Sequence, residues 1–400
     1  MRASGRLPSL LVTAGSFGGA ASQWLLVWLF ARSGGTAAVG VYSGLLAIAT
    51  PLFVVAQFGL RNVYLTLSRR HPYQDFVILR VAGCAVGVGV LTLVGTLMGF
   101  SPLLIMAMGM LKVADSVLDI VYARIQFHER MMQLGLLMVA NPAMTVIGAA
   151  LGLWVSGRIE WGVIASAIGS ALTLAIGLAM TNGLPASPEP AGTRRERWKD
   201  IASAASPIMA TQLLVSLLIY TPVWVAQVGG GADAVGVYSG ASYLVVFASL
   251  VGASLQTVSI PRLRRDHENG TGTTGTVVRS SIKWTVLGLA GAAAAVVAGP
   301  AILSWVYGPD FRMGRLDVAM LALAAAMCVP TYLFNAVMLV RNKYLAQSVV
   351  ALVSVVVALA VGMAATSFIA ATTAACLTAL VGAALRLAAS VVEVLRSERP

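Results

Sequence analysis

The heptapeptide AVGVYSG occurs twice in this chain, at residues 38–44 and again at 234–240. The two copies lie 196 residues apart in a chain of 400, which is close to half its length. Each copy follows a glycine-rich segment, SGGTA at 33–37 and GGGAD at 229–233, and precedes an apolar run. The spacing predicts two equivalent halves, with each copy of the heptapeptide at the start of the second helix of its half.

The composition places the chain among membrane proteins. Of its residues 58% are hydrophobic and only 10% are charged, and its mean hydropathy is +0.86. Soluble globular proteins carry about 25% charged residues. A membrane-spanning helix needs roughly 20 apolar residues. The chain therefore has room for about a dozen spanning helices with short connections.

Twelve apolar segments bounded by charged, glycine or proline residues predict twelve transmembrane helices. With both termini in the cytoplasm, 22 of the 27 lysines and arginines fall on the cytoplasmic side, as the positive-inside rule requires. The formal net charge of +12 is explained in this way, and no nucleic-acid partner is expected. The segments are 8–31, 38–60, 76–99, 102–124, 133–155, 161–182, 202–226, 234–258, 283–307, 318–340, 345–364 and 367–388.

These segments predict an all-α polytopic fold in two parallel six-helix bundles. The expected N-terminal bundle covers residues 1–182, a flexible cytoplasmic linker covers 183–201, and the C-terminal bundle covers 202–400. Because six is an even number, both halves have the same orientation, and parallel repeats of this kind are related by an axis along the membrane normal. We expect such a pair to enclose a cavity and to work by alternating access. The cysteines lack metal-binding spacing, and no metal or cofactor is expected.

Four motifs resemble one transporter family. They are FARSGGTAAVGVYSG at 30–44, LFVVAQFGLRNVYLT at 52–66, KVADSVLDIVYARIQFHERM at 112–131 and LSWVYGPDFR at 303–312. Their order and spacing resemble the polysaccharide-transport flippases, the Wzx-like branch of the multidrug/oligosaccharidyl-lipid/polysaccharide exporter superfamily (MATE/MOP-like). The resemblance covers most of the chain.

The resemblance implies a function and a setting. Members are thought to move a polyprenyl-diphosphate-linked oligosaccharide between leaflets during synthesis of surface polysaccharides, such as the O-antigen of lipopolysaccharide. It implies a non-enzymatic protein of the bacterial cytoplasmic (inner) membrane, in contact with membrane lipids. A polysaccharide polymerase and glycosyltransferases of the same pathway are expected as partners.

The fourth predicted span contains what we expect to be the only ionisable side chains deep in a membrane segment. Lys112, Asp115 and Asp119 fall on one helix face, and Gln126 extends that stripe. Lys112 is expected about 18 Å from the cytoplasmic end of the helix. Charges at such depth are costly and usually face a cavity. Lys112 is then expected to attract a diphosphate, and Asp115 or Asp119 to take a coupling ion. Alternatives are an internal Lys112–Asp115 ion pair and snorkelling of Asp119 to the inner surface.

Polar residues elsewhere complete the expected substrate-binding set. Arg61 ends the second predicted span and is either an interfacial anchor or a cation that recruits diphosphate at the cavity mouth. Gln23 and Gln57 either contact sugar hydroxyls or form interhelical hydrogen bonds, which is the commoner role of such side chains. The expected substrate-binding residues are therefore Lys112, Arg61, Gln23, Gln57 and Gln126.

Three other functions are compatible with parts of the pattern. A small-molecule or multidrug antiporter of the same superfamily would carry acidic and aromatic residues in its cavity, whereas the stripe here includes a lysine. A membrane-embedded glycosyltransferase or polymerase needs carboxylates near the sugar, and the predicted outward loops are only a few residues long. A major-facilitator transporter also has twelve helices, but its loop signature is only loosely matched by SRRHPYQD at 68–75.

Overall fold

The computed structural model describes residues 6–67, 71–185, 192–269 and 273–396. All regular secondary structure of these residues is α-helical, which confirms the predicted all-α class. The helices are α1 (Arg6–Gln57), α2 (Leu60–Leu67), α3 (Tyr73–Leu97), α4 (Pro102–Phe127), α5 (Met131–Ser156), α6 (Ile159–Thr181), α7 (Arg194–Glu268), α8 (Thr273–Tyr307), α9 (Arg315–Val340), α10 (Tyr344–Ala365) and α11 (Ala371–Arg396).

The two longest helices, α1 and α7, are each interrupted by one glycine. Gly35 has φ 65° and Gly231 has φ 64°. A positive φ costs glycine little but is disfavoured for other residues. The two glycines are 196 residues apart, which is also the spacing of the AVGVYSG copies. The repeat read from the sequence is therefore also a repeat of backbone conformation.

Most of the described helices have the length and composition of membrane spans. Nine stretches of the described chain qualify; one runs through α1 and α2, and another lies in α7. Helix α4 has 26 residues but carries Lys112, Asp115 and Asp119, so its apolar character is interrupted. Counting α4 and dividing α1 and α7 at their glycines is consistent with the twelve spans predicted.

The chain divides into two compact units. The first contains Met1–Gly34 and Leu45–Ser216, and the second contains Gly35–Gly44 and Leu217–Pro400. Residues 194–201, predicted to belong to a flexible linker, instead form the first turns of α7. The first unit consequently extends past the predicted boundary at residue 182, because the beginning of α7 packs within it.

An ion-pair cluster fixes the beginning of α7 to the beginning of α3. The carboxylate of Asp75 accepts a hydrogen bond from Nε of Arg197 at 2.6 Å and one from Nε1 of Trp198 at 3.4 Å. The Asp75 side chain is 2% exposed and that of Arg197 is 11% exposed. Arg197 also donates to the carbonyl oxygen of Gly192 at 2.9 Å. Helix α7 therefore starts at a fixed point of the first unit.

Replacing Asp75 with alanine is expected to destabilise the first unit by about 3–5 kcal/mol, because it leaves the Arg197 guanidinium buried without its carboxylate. The measurement is thermal unfolding of the purified protein in a neutral detergent. Asp200→Ala is the matched control, because Asp200 is an exposed acid in the same helix. Equal melting temperatures for the two variants would contradict this role of Asp75.

Helix α2 is held against α3, α4 and α7 by an apolar cluster. The ring of Tyr64 makes edge contacts with Tyr73 and Phe76 at centroid distances of 5.5 and 5.1 Å. The chain turns between α1 and α2 at Phe58 and Gly59, which have φ 51° and 62°. A Cβ on Gly59 would also lie 2.9 Å from the side chain of Ile208. This turn and cluster place α2 alongside α4.

In the second unit the two AVGVYSG copies cross at their glycines. A Cβ on Gly40 would overlap the carbonyl oxygen of Ala232, and a Cβ on Gly236 would overlap the carbonyl oxygen of Thr36. Both pairs are related by the 196-residue repeat, so the crossing has approximate twofold symmetry. The hydroxyl of Thr36 also donates to Oδ1 of Asp233 at 2.6 Å. The repeated heptapeptide thus supplies two glycines at which the neighbouring backbone leaves no room for a Cβ.

Candidate functional site

A polar cavity of about 360 Å³ lies in the first unit, among α1, α2, α3, α4 and the first part of α7. Four residues proposed from the sequence line it: Arg61, Gln57, Asp119 and Gln126. The other lining residues are Gly59, Asn62, Leu65, Arg80 and Gln212. The cavity therefore combines two guanidinium groups and one carboxylate with several uncharged amides.

Asp119 bridges the two arginines of the cavity. Its Oδ1 lies 3.2 Å from Nη1 of Arg61, and its Oδ2 lies 3.0 Å from Nη2 of Arg80. Each carboxylate oxygen therefore holds one guanidinium, and the side chains of Arg61 and Asp119 remain 29% and 24% exposed. Three helices, α2, α3 and α4, contribute one charged group each. Charge-assisted bonds of this kind are stronger than bonds between neutral groups.

Arg61 is held over the fourth helix by two further contacts. Its Nη2 donates to Oε1 of Gln126 at 3.1 Å, and its guanidinium lies 5.8 Å from the ring centroid of Tyr122. Asp119 and Gln126, which the sequence predicted on one face of α4, therefore both contact Arg61. The position of Arg61 at the start of α2 makes this possible, because the turn at Gly59 lies two residues before it.

Arg80 lines the cavity but is absent from the site residues proposed from the sequence. Its side chain is 1% exposed, its Nη1 donates to Ser116 at 3.3 Å, and its buried Nε has no hydrogen-bond partner among the described residues. The count of cytoplasmic charges includes Arg80, although it lies inside the predicted span 76–99. The expectation that only the fourth span carries deep ionisable groups is therefore wrong. The signal in the sequence that could have identified Arg80 is that it is an arginine within an apolar run.

The charges of the cavity favour an anionic ligand. Two arginines and one aspartate leave one positive charge, and the surrounding amides of Gln57, Gln126 and Gln212 are neutral. Arginine presents a planar set of donors that matches the oxygens of carboxylate and phosphate groups. In the described structure the Asp119 carboxylate occupies these donors. An incoming oxyanion can take over that position, since it offers the same kind of acceptor.

Lys112 and Asp115 lie nearer the beginning of α4 than Asp119 and do not line this cavity. The Asp115 carboxylate accepts hydrogen bonds from Nδ2 of Asn141 at 3.2 Å and from the hydroxyl of Ser170 at 2.7 Å. The charge of Lys112 interacts with that of Asp115, but no described carboxylate lies within 4.0 Å of its ammonium. Gln23 is exposed on α1, apart from the cavity. The predicted stripe therefore contains two separate polar clusters.

Comparison with known proteins identifies the family. The sequence profile of the polysaccharide biosynthesis proteins matches residues 10–267 of this chain. The chain belongs to the family of polysaccharide biosynthesis proteins. The match covers nearly the whole first unit and extends to the end of α7, so it includes all the cavity-lining residues. The resemblance drawn from the four motifs is confirmed.

Solved structures support the same superfamily fold. A multidrug resistance MATE family transporter of the MOP superfamily, in an inward-facing conformation, has a TM-score of 0.68 at 14% identity, covering 96% of this chain and 93% of its own. The lipid II flippase MurJ, in an inward closed conformation, has a TM-score of 0.70 at 12% identity, with coverages of 96% and 87%.

The Vibrio cholerae MATE transporter VcmN, in its bent form, has a TM-score of 0.61 at 13% identity, with coverages of 98% and 96%. No curated protein sequence matches the chain significantly. The chain therefore has the fold of the MOP superfamily and is a multi-pass membrane protein of the polysaccharide biosynthesis family.

Proposed function

We propose that this protein is a flippase that moves a polyprenyl-diphosphate-linked oligosaccharide across the bacterial cytoplasmic membrane, by alternating access, for surface polysaccharide synthesis. The observation that carries the proposal is the cavity in which Arg61 and Arg80 share the single carboxylate of Asp119. Family membership supports the pathway, and the cationic cavity supports an anionic cargo. Both termini are expected in the cytoplasm, where glycosyltransferases supply the cargo, and a polymerase on the other side of the membrane consumes it.

The three parts of this cargo make different physical demands. The polyprenyl chain can remain in the lipid, but a diphosphate and a sugar chain cannot cross hydrocarbon without polar partners. The two guanidinium groups match the phosphate oxygens. The amide side chains of Gln57, Gln126 and Gln212 offer both donors and acceptors to sugar hydroxyls. The cavity thus contains partners for the diphosphate and for the first sugar.

We propose that Asp119 acts as a removable counter-ion rather than as a permanent structural partner of Arg61. When the cavity is empty, Asp119 neutralises part of the charge of Arg61 and Arg80, so the site is less costly to hold inside the membrane. When a diphosphate enters, its oxygens replace the carboxylate on Arg61 first, because Arg61 is the more exposed of the two arginines. Release of the cargo then restores the Arg61–Asp119 pair.

The strongest alternative is a multidrug antiporter, since several similar structures are MATE transporters. Cationic drugs would meet a cavity with a net positive charge, which opposes their binding. An enzyme that transfers or polymerises sugars is the remaining alternative, and sugar-transfer activity of the purified protein would support it.

The experiment that tests the function is translocation in proteoliposomes. The purified protein is reconstituted with a fluorescent polyprenyl-diphosphate oligosaccharide, and transfer between leaflets is followed by quenching from outside. The proposal predicts protein-dependent transfer that excess inorganic diphosphate inhibits. Efflux of a cationic dye without transfer of the lipid-linked sugar would instead support the antiporter.

We also propose that the Lys112–Asp115 cluster takes part in transport as a second polar binding site. Lys112 attracts the diphosphate as it leaves Arg61, and Asp115 takes the coupling ion. The Asp115 carboxylate is better placed for this than Asp119, because its hydrogen-bond partners Asn141 and Ser170 are neutral. Asp119 by contrast is held by two arginines.

Replacing Lys112 with alanine is expected to abolish translocation while the protein still inserts in the membrane. The measurement is the proteoliposome assay, normalised to the amount of monodisperse protein. Lys112→Arg is the matched control, because it keeps the positive charge and is expected to retain part of the transport rate. Transport by Lys112→Ala at the rate of the unaltered protein would remove Lys112 from the mechanism.

A further inference from the structure

Helix α11 carries an arginine within a membrane-spanning segment, far from both helix ends. Arg386 lies ten residues before Arg396, the last residue of α11, and the residues around it are apolar. Its guanidinium is positioned over the ring of Tyr332 in α9, at 5.5 Å from the ring centroid. Like Arg80, Arg386 is included in the sequence-based count of cytoplasmic charges. It nevertheless lies within the predicted span 367–388, and its side chain is partly buried.

No carboxylate neutralises Arg386 among the residues that the structure describes. Every described ion pair within 4.0 Å involves other residues. On the same helix as Tyr332, the thiol of Cys328 accepts a hydrogen bond from the hydroxyl of Ser249 at 3.4 Å. The aromatic ring face of Tyr332 attracts a cation but does not cancel its charge.

Helices α4 and α9 can be aligned residue by residue from their backbone hydrogen bonds. Both have 26 residues, and each is followed by a residue of φ 57°, Glu129 after α4 and Asn342 after α9. The amide of His128 donates to Arg124, and that of Arg341 donates to Val337. The corresponding residues of the two helices, such as His128 and Arg341, are always 213 residues apart. The two helices are therefore equivalent elements of the two units.

This alignment places neutral residues where α4 has its carboxylates. Tyr332 occupies the position of Asp119, and Cys328 occupies that of Asp115. In the first unit the arginines near α4 have a resident counter-ion. In the second unit Arg386 lies over the phenol ring of Tyr332, at the position equivalent to Asp119. A cation inside an apolar span without a carboxylate partner is rare, and such residues usually mark a substrate or ion pathway.

We infer that Arg386 and Tyr332 form a second oxyanion-binding site, which takes a phosphate or carboxylate group of the cargo. Assigning the anion to the cargo rests on the proposed function, whereas oxyanion binding at Arg386 does not. The guanidinium provides the charge and paired donors, and the Tyr332 hydroxyl can donate a further hydrogen bond. A cargo with a second anionic group, such as an acidic sugar, would be preferred over a neutral one.

The test is a calorimetric titration of the full-length protein, in phosphatidylcholine nanodiscs, with inorganic diphosphate. The unaltered protein is expected to bind two equivalents. Arg386→Gln is expected to lose one of them, with affinity falling about tenfold or more, while Arg386→Lys retains it in part. Arg279→Gln is the matched control, because it removes the same charge from an exposed position of α8. Unchanged binding by Arg386→Gln would overturn the inference.

Two further experiments distinguish failure of this inference from failure of the proposed function and from binding of a lipid headgroup. Arg61→Gln is expected to remove the other bound diphosphate. The two variants therefore test the two sites independently, and a negative result for one leaves the result for the other valid. Nanodiscs containing phosphatidylglycerol test a lipid headgroup as the occupant. If the cargo is the ligand, the Arg386-dependent equivalent persists in these nanodiscs. Its loss there would assign the site to anionic lipid and contradict the inference.

Discussion

Replacing Arg61 with glutamine is expected to slow translocation of the lipid-linked oligosaccharide about 10- to 100-fold, because a charge-assisted hydrogen bond contributes about 1.5–3 kcal/mol. Arg61 is the arginine that the cargo reaches first, since its side chain is 29% exposed while that of Arg80 is 1% exposed. The change also frees one oxygen of Asp119, which then repels a diphosphate. The measurement is the initial rate of leaflet transfer in proteoliposomes.

Two controls make this result specific to the cavity. Arg195→Gln removes the same charge from an exposed position of α7 and is expected to leave the rate unchanged. Arg61→Lys keeps the charge but loses the paired donors, so we expect an intermediate rate. A rate for Arg61→Gln equal to that of the unaltered protein would mean that Arg61 is only an interfacial anchor.

Adding a single methyl group at Gly40 or Gly236 is expected to produce the largest effect on folding. Each new Cβ would overlap a backbone carbonyl oxygen, of Ala232 or of Thr36, and a backbone cannot yield by changing a rotamer. Overpacking of this kind costs about 1–3 kcal/mol and occasionally more. We expect Gly40→Ala and Gly236→Ala each to lower the melting temperature and the yield of monodisperse protein.

The repeat makes the double variant informative. Because both glycines belong to one crossing, separating the helices for one methyl group also makes room for the other. The destabilisation of the double variant Gly40→Ala/Gly236→Ala is therefore expected to be smaller than the sum of the destabilisations of the two single variants. Gly19→Ala in α1 is the control, since no atom lies within 4 Å of the added Cβ. Strict additivity, or destabilisation by Gly19→Ala as large as by Gly40→Ala, would contradict this account of the crossing.

The sequence predicted the division into two halves and the positions of the apolar helices. Identical heptapeptides at a spacing of 196 residues predicted the two halves, and Gly35 and Gly231 have matching backbone angles. Apolar runs predicted the helices because each span must bury its backbone polar groups internally. The boundary of the linker was wrong at residues 194–201, because the pairing of Asp75 with Arg197 joins positions 122 residues apart. No local pattern indicates a contact of this range.

The candidate site was predicted in part. Helical periodicity placed Asp119 and Gln126 on one face, and both do contact Arg61. The same periodicity could not separate Lys112 and Asp115 from that cavity, since it gives the face of a helix and not the neighbour that covers it. Arg80 was counted with the cytoplasmic charges although it lies inside the predicted span 76–99. Its role depends on the approach of α3 to Asp119, which only the tertiary structure provides.

The central claim is that the diphosphate of the cargo binds between Arg61 and Arg80 in place of Asp119. The most direct measurement is a cryo-electron microscopy structure of the protein in nanodiscs with undecaprenyl diphosphate. The account predicts phosphate oxygens about 2.7–3.2 Å from both guanidinium groups, with the Asp119 carboxylate displaced from Arg61. A bound diphosphate elsewhere in the protein, with the Arg61–Asp119 pair intact, would contradict it.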